Sequence, residues 1–173
     1  MYDNRAGMRQ KEECGMKLLF RQRFFSWFDS YDIWYEDGSL AYTVEGQLSW
    51  GHKLHILDAS GRHVGTVKER VISFLPKFQM FYMGEFIGEI RKQWTVLRPR
   101  FAVDMNGWTV RGDLLNWDYQ VFAPGGYEVA VISKRLFRLT DTYEIDVVNP
   151  ADALFVLMLA LAIDAEKCTR GVN

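Results

Sequence analysis

The sequence predicts an all-β protein with one helix: a closed β-barrel of about twelve short strands enclosing a central hydrophobic C-terminal α-helix. Three observations predict it. Turn signals recur at close, regular spacing from residue 17 to residue 149. The segments between them are rich in β-branched and aromatic residues, the signature of strands in a sandwich or barrel. One run, 153–163, is apolar all round. The composition fits, with 49% hydrophobic residues, 15% aromatic residues and a net charge of −1. A disordered linker would be poor in aromatics and unbalanced in charge. A uniformly basic nucleic-acid binder needs a cationic excess that is absent from the total. With 173 residues there is room for one ordinary domain and not two.

Taken in order, residues 1–15 are polar, with Arg5, Arg9, Lys11, Glu12 and Glu13, and lack the apolar stretch of a secretory signal. They are expected to be a disordered tail. Met16-Lys17-Leu18-Leu19-Phe20 reads as the folded start, the barrel domain is placed at 16–168, and 169–173 as a C-terminal tail. Strands are expected at 18–27, 33–36, 40–45, 53–57, 63–71 and 79–82. Six more are expected at 85–90, 100–104, 108–111, 118–122, 127–132 and 143–148. The turns between them include Asp37-Gly38, Ser60-Gly61, Met83-Gly84, Asn106-Gly107 and Gly125-Gly126. Asn106-Gly107 is the preferred two-residue hairpin, because both residues tolerate the positive φ of a type I′ turn. Gly65 and Gly88 fall inside strands and point to close packing or a bend.

The helix is expected to start at Asn149-Pro150, a favoured cap followed by proline at the first helical position, with Asp152 in the first turn. Asp164 is expected to end it. The apolar run covers about 16 Å as a helix, roughly half of a hydrocarbon core near 30 Å, so it is too short to span a membrane. A helix apolar all round must then be surrounded by protein, and the sheet is the only wall available. Eight strands close around side chains alone, whereas eleven enclose a helix about 10 Å across.

The pattern Asp141-Thr142-Tyr143-Glu144-Ile145-Asp146-Val147, then Asp152-Ala153, an apolar helix and Ile163-Asp164, resembles the C-terminal signature of the LURP-one-related family. That family lies in the tubby-like superfamily with the phospholipid scramblases. Residues 16–23 and the stretch from Ile56-Leu57-Asp58 to Gly65 are similar to bacterial members. The resemblance covers roughly residues 16–168. It implies a twelve-stranded barrel around a central helix. On function it implies less, since tubby domains bind phosphoinositides through a basic patch on the barrel wall, scramblases act at membranes, and most LURP-one-related proteins have no established biochemical activity. The proline-rich arm and cysteine cluster of scramblases are absent here, so scramblase activity is not expected.

The chemistry-bearing residues give few catalytic signals. No Gly-x-Ser-x-Gly elbow, Walker loop or Rossmann fingerprint occurs, so catalytic residues and cofactors are expected to be none. His52 and His55 have an odd separation and would face opposite sides of a strand, and with His63 they lack zinc-like spacing, so no metal is expected. Asp29, Asp32, Glu36 and Asp37 read as an exposed turn. Asp141 and Asp146, given the family pattern, read as fixing the turn and strand before the helix. The two cysteines, Cys14 and Cys168, are too few for a disulfide scaffold. A reducing, cytoplasmic location follows, at the membrane periphery where lipid is bound.

The basic residues carry the functional expectation. Lys68, Arg70 and Lys77 lie close in sequence, and Arg91, Lys92, Arg98 and Arg100 follow without an intervening acid, interleaved with Trp94. Such a pattern suits an anionic phospholipid headgroup or membrane surface, or RNA with Trp94 stacked on a base. A solvated strand end is the ordinary alternative. The expected function is a non-enzymatic binding module for a phosphoinositide or other anionic headgroup, with no DNA partner. The alternative is a protein–protein adaptor using exposed aromatics such as Trp34 or Trp117.

Overall fold

The computed structural model describes residues 15–21, 30–47, 49–72, 75–93, 100–113, 116, 118–136 and 141–170. These form twelve strands followed by helical segments. The strands are β1 (Met16–Arg21), β2 (Ser30–Tyr35), β3 (Leu40–Gln47), β4 (Lys53–Asp58), β5 (His63–Glu69) and β6 (Lys77–Tyr82). They continue as β7 (Glu85–Gln93), β8 (Arg100–Val103), β9 (Trp108–Asp113), β10 (Asp118–Phe122), β11 (Glu128–Leu136) and β12 (Asp141–Val147). Each pairs antiparallel with its neighbours in the chain, and β1 returns to β12, Met16 opposite Val147 and Arg21 opposite Thr142. The barrel is therefore closed, which leaves no sheet edge to aggregate. Lys17 reinforces the seam: its ammonium lies 2.7 Å from Glu144 and 3.5 Å from Asp146 on β12. Asp146, expected to fix the approach to the helix, thus acts across the closing seam.

Every expected strand has its counterpart, with ends shifted by a few residues. The expected 18–27 strand is described as far as Arg21, and its remainder lies outside the described residues, as does the 1–14 part of the tail. The preferred hairpin is a correction. Val103 pairs with Trp108, so Asn106-Gly107 belongs to a four-residue loop, 104–107. Only Gly107 there has positive φ, at 70°, while Asn106 accepts from the Trp108 N–H at 3.2 Å. The two-residue turn is Met83-Gly84, with φ of 50° and 89°, because Tyr82 pairs directly with Glu85. Strand register has overridden the local preference of asparagine for the left-handed region.

Both strand glycines lie where the packing is close. A Cβ on Gly65 would lie 2.3 Å from the Met158 side chain of the helix. At Gly88, next to a register shift in the β6–β7 ladder, it would lie 2.8 Å from the Asp104 and Met105 side chains.

The helix begins as expected. Asn149 is extended and its side chain accepts from the Ala151 N–H, and Pro150 opens a 3-10 turn (Pro150–Asp152) that runs into α1 (Ala153–Arg170). Val156, Leu157, Met158 and Leu159 are 0% exposed, so the barrel seals the helix on all sides. Each such side chain taken from water contributes about 1.5–3 kcal/mol before entropic losses. Asp164 does not end the helix; α1 continues to Arg170, and Asp164 is buried within it. Among the described residues no helix is long and apolar enough to cross a membrane.

The two ends of the barrel differ. Tight turns at 36–39, 59–62, 83–84 and 104–107 sit at the end where the helix enters. The connections from β3 to β4 and from β5 to β6 lie at the far end, toward which α1 runs.

Candidate functional site

Strand alternation places the basic residues. Val67, Phe78 and Ile90 point inward and are at most 1% exposed, so Lys68, Lys77 and Arg91 point outward on β5, β6 and β7. The register then gathers them. Lys68 lies opposite Gln79, Lys77 lies opposite Arg91, and the Arg70 N–H donates to the Lys77 carbonyl at 2.8 Å. Lys68, Arg70, Lys77 and Arg91 share one facet of the outer wall.

Acids on the same facet hold the arginines. Arg91 Nε donates to Glu89 at 3.1 Å and its Nη2 to Asp104 at 3.1 Å, while Arg70 lies 3.6 Å from Glu89. Asp104 also accepts from the Glu89 N–H at 2.6 Å, which fixes the Asp104 carboxylate. Lys68 and Lys77 have no ion-pair partner among the described residues. The facet thus combines one guanidinium held by two acids, a second beside Glu89 and two ammonium groups without an ion-pair partner among the described residues, a donor set that suits a multiply charged anion.

Lys92 is a correction. It follows Ile90 at strand period, points into the barrel, and is 8% exposed, with its ammonium 2.5 Å from Glu166 on α1. It closes the interior and does not join the wall. Arg98 and Trp94 lie outside the described residues, and Arg100 is placed by its backbone alone, opposite Gln93.

Sequence reading missed Lys53, which lies directly opposite Lys68 and extends the basic row onto β4. It also missed a histidine pair. His55 Nδ1 lies 2.8 Å from His63 Nε2, with the Thr66 hydroxyl 2.8 Å from the latter, beside a register shift between Ile56 and Leu57. Burial first, then Lys53 and His63, hold the His55 pKa below the usual histidine value. His55 is therefore neutral at pH 7, and its buried Nε2 has no hydrogen-bond partner. His52 stands apart, 3.5 Å from Glu69. Among the described residues no group of three or more His, Cys, Asp or Glu is arranged to hold a metal ion.

Of the acidic cluster, Asp37 does turn chemistry, while Asp32 lies in β2 and bonds across the sheet to Thr43. Asp37 accepts from the Ser39 N–H at 2.8 Å and hydroxyl at 2.6 Å, which lowers its pKa, and Asp32 accepts from Thr43 at 2.8 Å. Asp29 lies outside the described residues, and Asp141 is placed by its backbone, opposite Leu136. A shallow groove of about 550 Å³ opens between Met16, Lys17, Tyr35, Glu36 and Pro150. Its lysine is engaged by Glu36, Glu144 and Asp146. Of the aromatics proposed for an adaptor, Trp34 is 39% exposed and Trp117 lies outside the described residues.

A closed antiparallel barrel in sequence order, threaded by its own C-terminal helix and carrying cations on its outer wall, defines the structural class. Residues 16–164 match the LURP-one-related family, and the chain belongs to it. It is similar to the uncharacterized protein YxjI of Bacillus subtilis (strain 168), with 26% identity over 150 residues, covering 86% of this chain and 92% of that one. In fold it is similar to the X-ray structure of an Arabidopsis thaliana protein, with a TM-score of 0.66 at 18% identity, covering 88% of this chain and 91% of that one.

Proposed function

We propose that the protein is a non-enzymatic binding module that takes an anionic headgroup, a phosphoinositide or a related phosphorylated group, on the outer wall of β5, β6 and β7. The observation that carries this reading is the register that gathers Lys68, Arg70, Lys77 and Arg91 on one facet. The pairing of Arg91 with Glu89 and Asp104 orients its remaining donors, and Lys68 and Lys77, without ion-pair partners among the described residues, add to the positive charge. Tyr119 and Asp164, whose pKa values burial raises, are 1% and 4% exposed inside the barrel.

Each Lys or Arg near an anionic leaflet contributes about 1 kcal/mol. Replacing Lys68 and Lys77 together with Ala is expected to weaken binding to phosphoinositide-containing vesicles by about 2 kcal/mol, or roughly thirtyfold. Vesicle co-sedimentation checks this, and unchanged binding by a folded double variant would sink the wall assignment. Because the attraction is electrostatic, wild-type binding is also expected to fall as salt rises.

A second reading, a protein adaptor, is favoured by a different surface. Tyr82, Met83 and Phe86 are 43%, 52% and 55% exposed around the tight β6–β7 turn. A stoichiometric protein partner captured by the wild type, lost on Phe86→Ala and indifferent to lipid, would support it.

A further inference from the structure

Two neighbouring loop tips at the far end carry side chains the core does not use. Trp50, between β3 and β4, is 93% exposed, and Ile72, after β5, is 94% exposed, with Val71 beside it at 54%. The tips are fixed to each other. A Cβ on Gly51 would lie 2.5 Å from a Val71 methyl, so glycine, at φ 90°, allows the close approach. The Glu69 carboxylate accepts from the His52 N–H at 3.0 Å, and the Glu69 N–H donates to the His52 carbonyl at 2.6 Å. Immediately behind the tips stand Lys53 and Lys68, directly opposite each other, and Arg70 and Lys77, joined by their backbone hydrogen bond.

Single exposed apolar residues are ordinary. Two large ones, almost fully exposed on clamped adjacent tips with cations behind them, form a different pattern. An indole and an aliphatic chain are at home in the interfacial layer of a bilayer, and lysine stems reach from there to the headgroups. Protein interfaces, by contrast, deplete charge around their apolar centre. We propose that Trp50 and Ile72 insert into the interface of an anionic bilayer while Lys53, Lys68, Arg70 and Lys77 engage its headgroups. This rests on the headgroup-binding reading above and adds the orientation, with the far end of the barrel facing the membrane.

The test compares the wild type, Trp50→Phe and the double variant Trp50→Ala, Ile72→Ala on vesicles of phosphatidylcholine with and without phosphatidylserine. The double variant is expected to bind the anionic vesicles about tenfold more weakly, equivalent to about 1.4 kcal/mol. Lipids brominated on their acyl chains are expected to quench the wild type more than Trp50→Phe. Wild-type binding with an equally strong double variant and equal quenching would overturn insertion and leave the headgroup reading standing. No wild-type binding to the phosphatidylserine vesicles would overturn insertion, and no binding to phosphoinositide-containing vesicles either would overturn the headgroup reading as well. A lipid-free wild-type dimer that the double variant dissolves, seen by sedimentation velocity, would assign the tips to a second copy and overturn insertion.

Discussion

Replacing Glu166 with Ala is expected to destabilise the protein by about 3–5 kcal/mol, because it strands the Lys92 ammonium inside the barrel. The two side chains are 8% and 6% exposed and meet at 2.5 Å, one from β7 and the other from α1. Burial raises the Glu166 pKa, Lys167 lowers it, and the direct contact with Lys92 favours the ionised form. Removing one ion leaves the other with its desolvation uncompensated, whereas removing both does not. The double variant Lys92→Met, Glu166→Leu is therefore expected to recover most of the loss. Urea denaturation of the three proteins checks the pair. A loss below about 1 kcal/mol in Glu166→Ala would mean that the pair behaves as an exposed one. Such an outcome would place Lys92 back among the solvent-facing cations.

Asp164 is expected to make stability fall as pH rises. Burial pushes its pKa from 3.8 to about 7, with Lys167 opposing, and its charge in turn raises the Tyr119 hydroxyl, which burial has already raised. Below the unfolded value the carboxyl is protonated in both states and its contribution is complete. Between about 4 and 7 the folded state keeps a proton that the unfolded chain has lost, so stability declines across that window. At about 1.36 kcal/mol per unit the decline approaches 4 kcal/mol as a ceiling. Asp164→Asn mimics the protonated acid and does not titrate. Relative to wild type it is expected to be nearly neutral at pH 4 and stabilising by up to about 4 kcal/mol at pH 8. Taking the difference between the two proteins at each pH cancels the other titrating groups, including His55, whose depressed pKa makes stability fall toward acid. A variant-minus-wild-type difference that does not change with pH would show that Asp164 is solvated.

The architecture was legible because its signals are local. Close turn spacing, short β-branched segments and a helix without a polar face are read along the chain, as is the Asn149-Pro150 start. A barrel built of neighbouring hairpins needs no long-range pairing to be guessed beyond the β1–β12 closure. What the chain does not display is register. The convergence of Lys68, Lys77 and Arg91, the Lys53–Lys68 pairing and the His55–His63 contact all depend on which residues face each other across strands. Lys92 is instructive because a signal was present. Ile90 and Lys92 have the same parity, so an inward Ile90 implies an inward Lys92 unless a bulge intervenes. Reading positions 91–100 as one charge run ignored that alternation. The same parity puts Glu89 beside Arg91 on the outer face, where it offsets part of the charge. Trp50 and Ile72 lie in loops, where no periodicity separates a core aromatic from an exposed one. Asp164 shows the limit of capping logic, since an acid at the end of an apolar run marks a helix end only when the helix stops there.

The outer-wall assignment is tested most directly by mapping a soluble inositol phosphate headgroup onto the folded protein through its backbone amide resonances. The shifts are expected to concentrate at residues 66–70, 77–81 and 89–91, on β5, β6 and β7, and to weaken as salt is raised. Shifts confined to the tight-turn end, around 36–39 or 83–86, or no shifts at low salt, would contradict it.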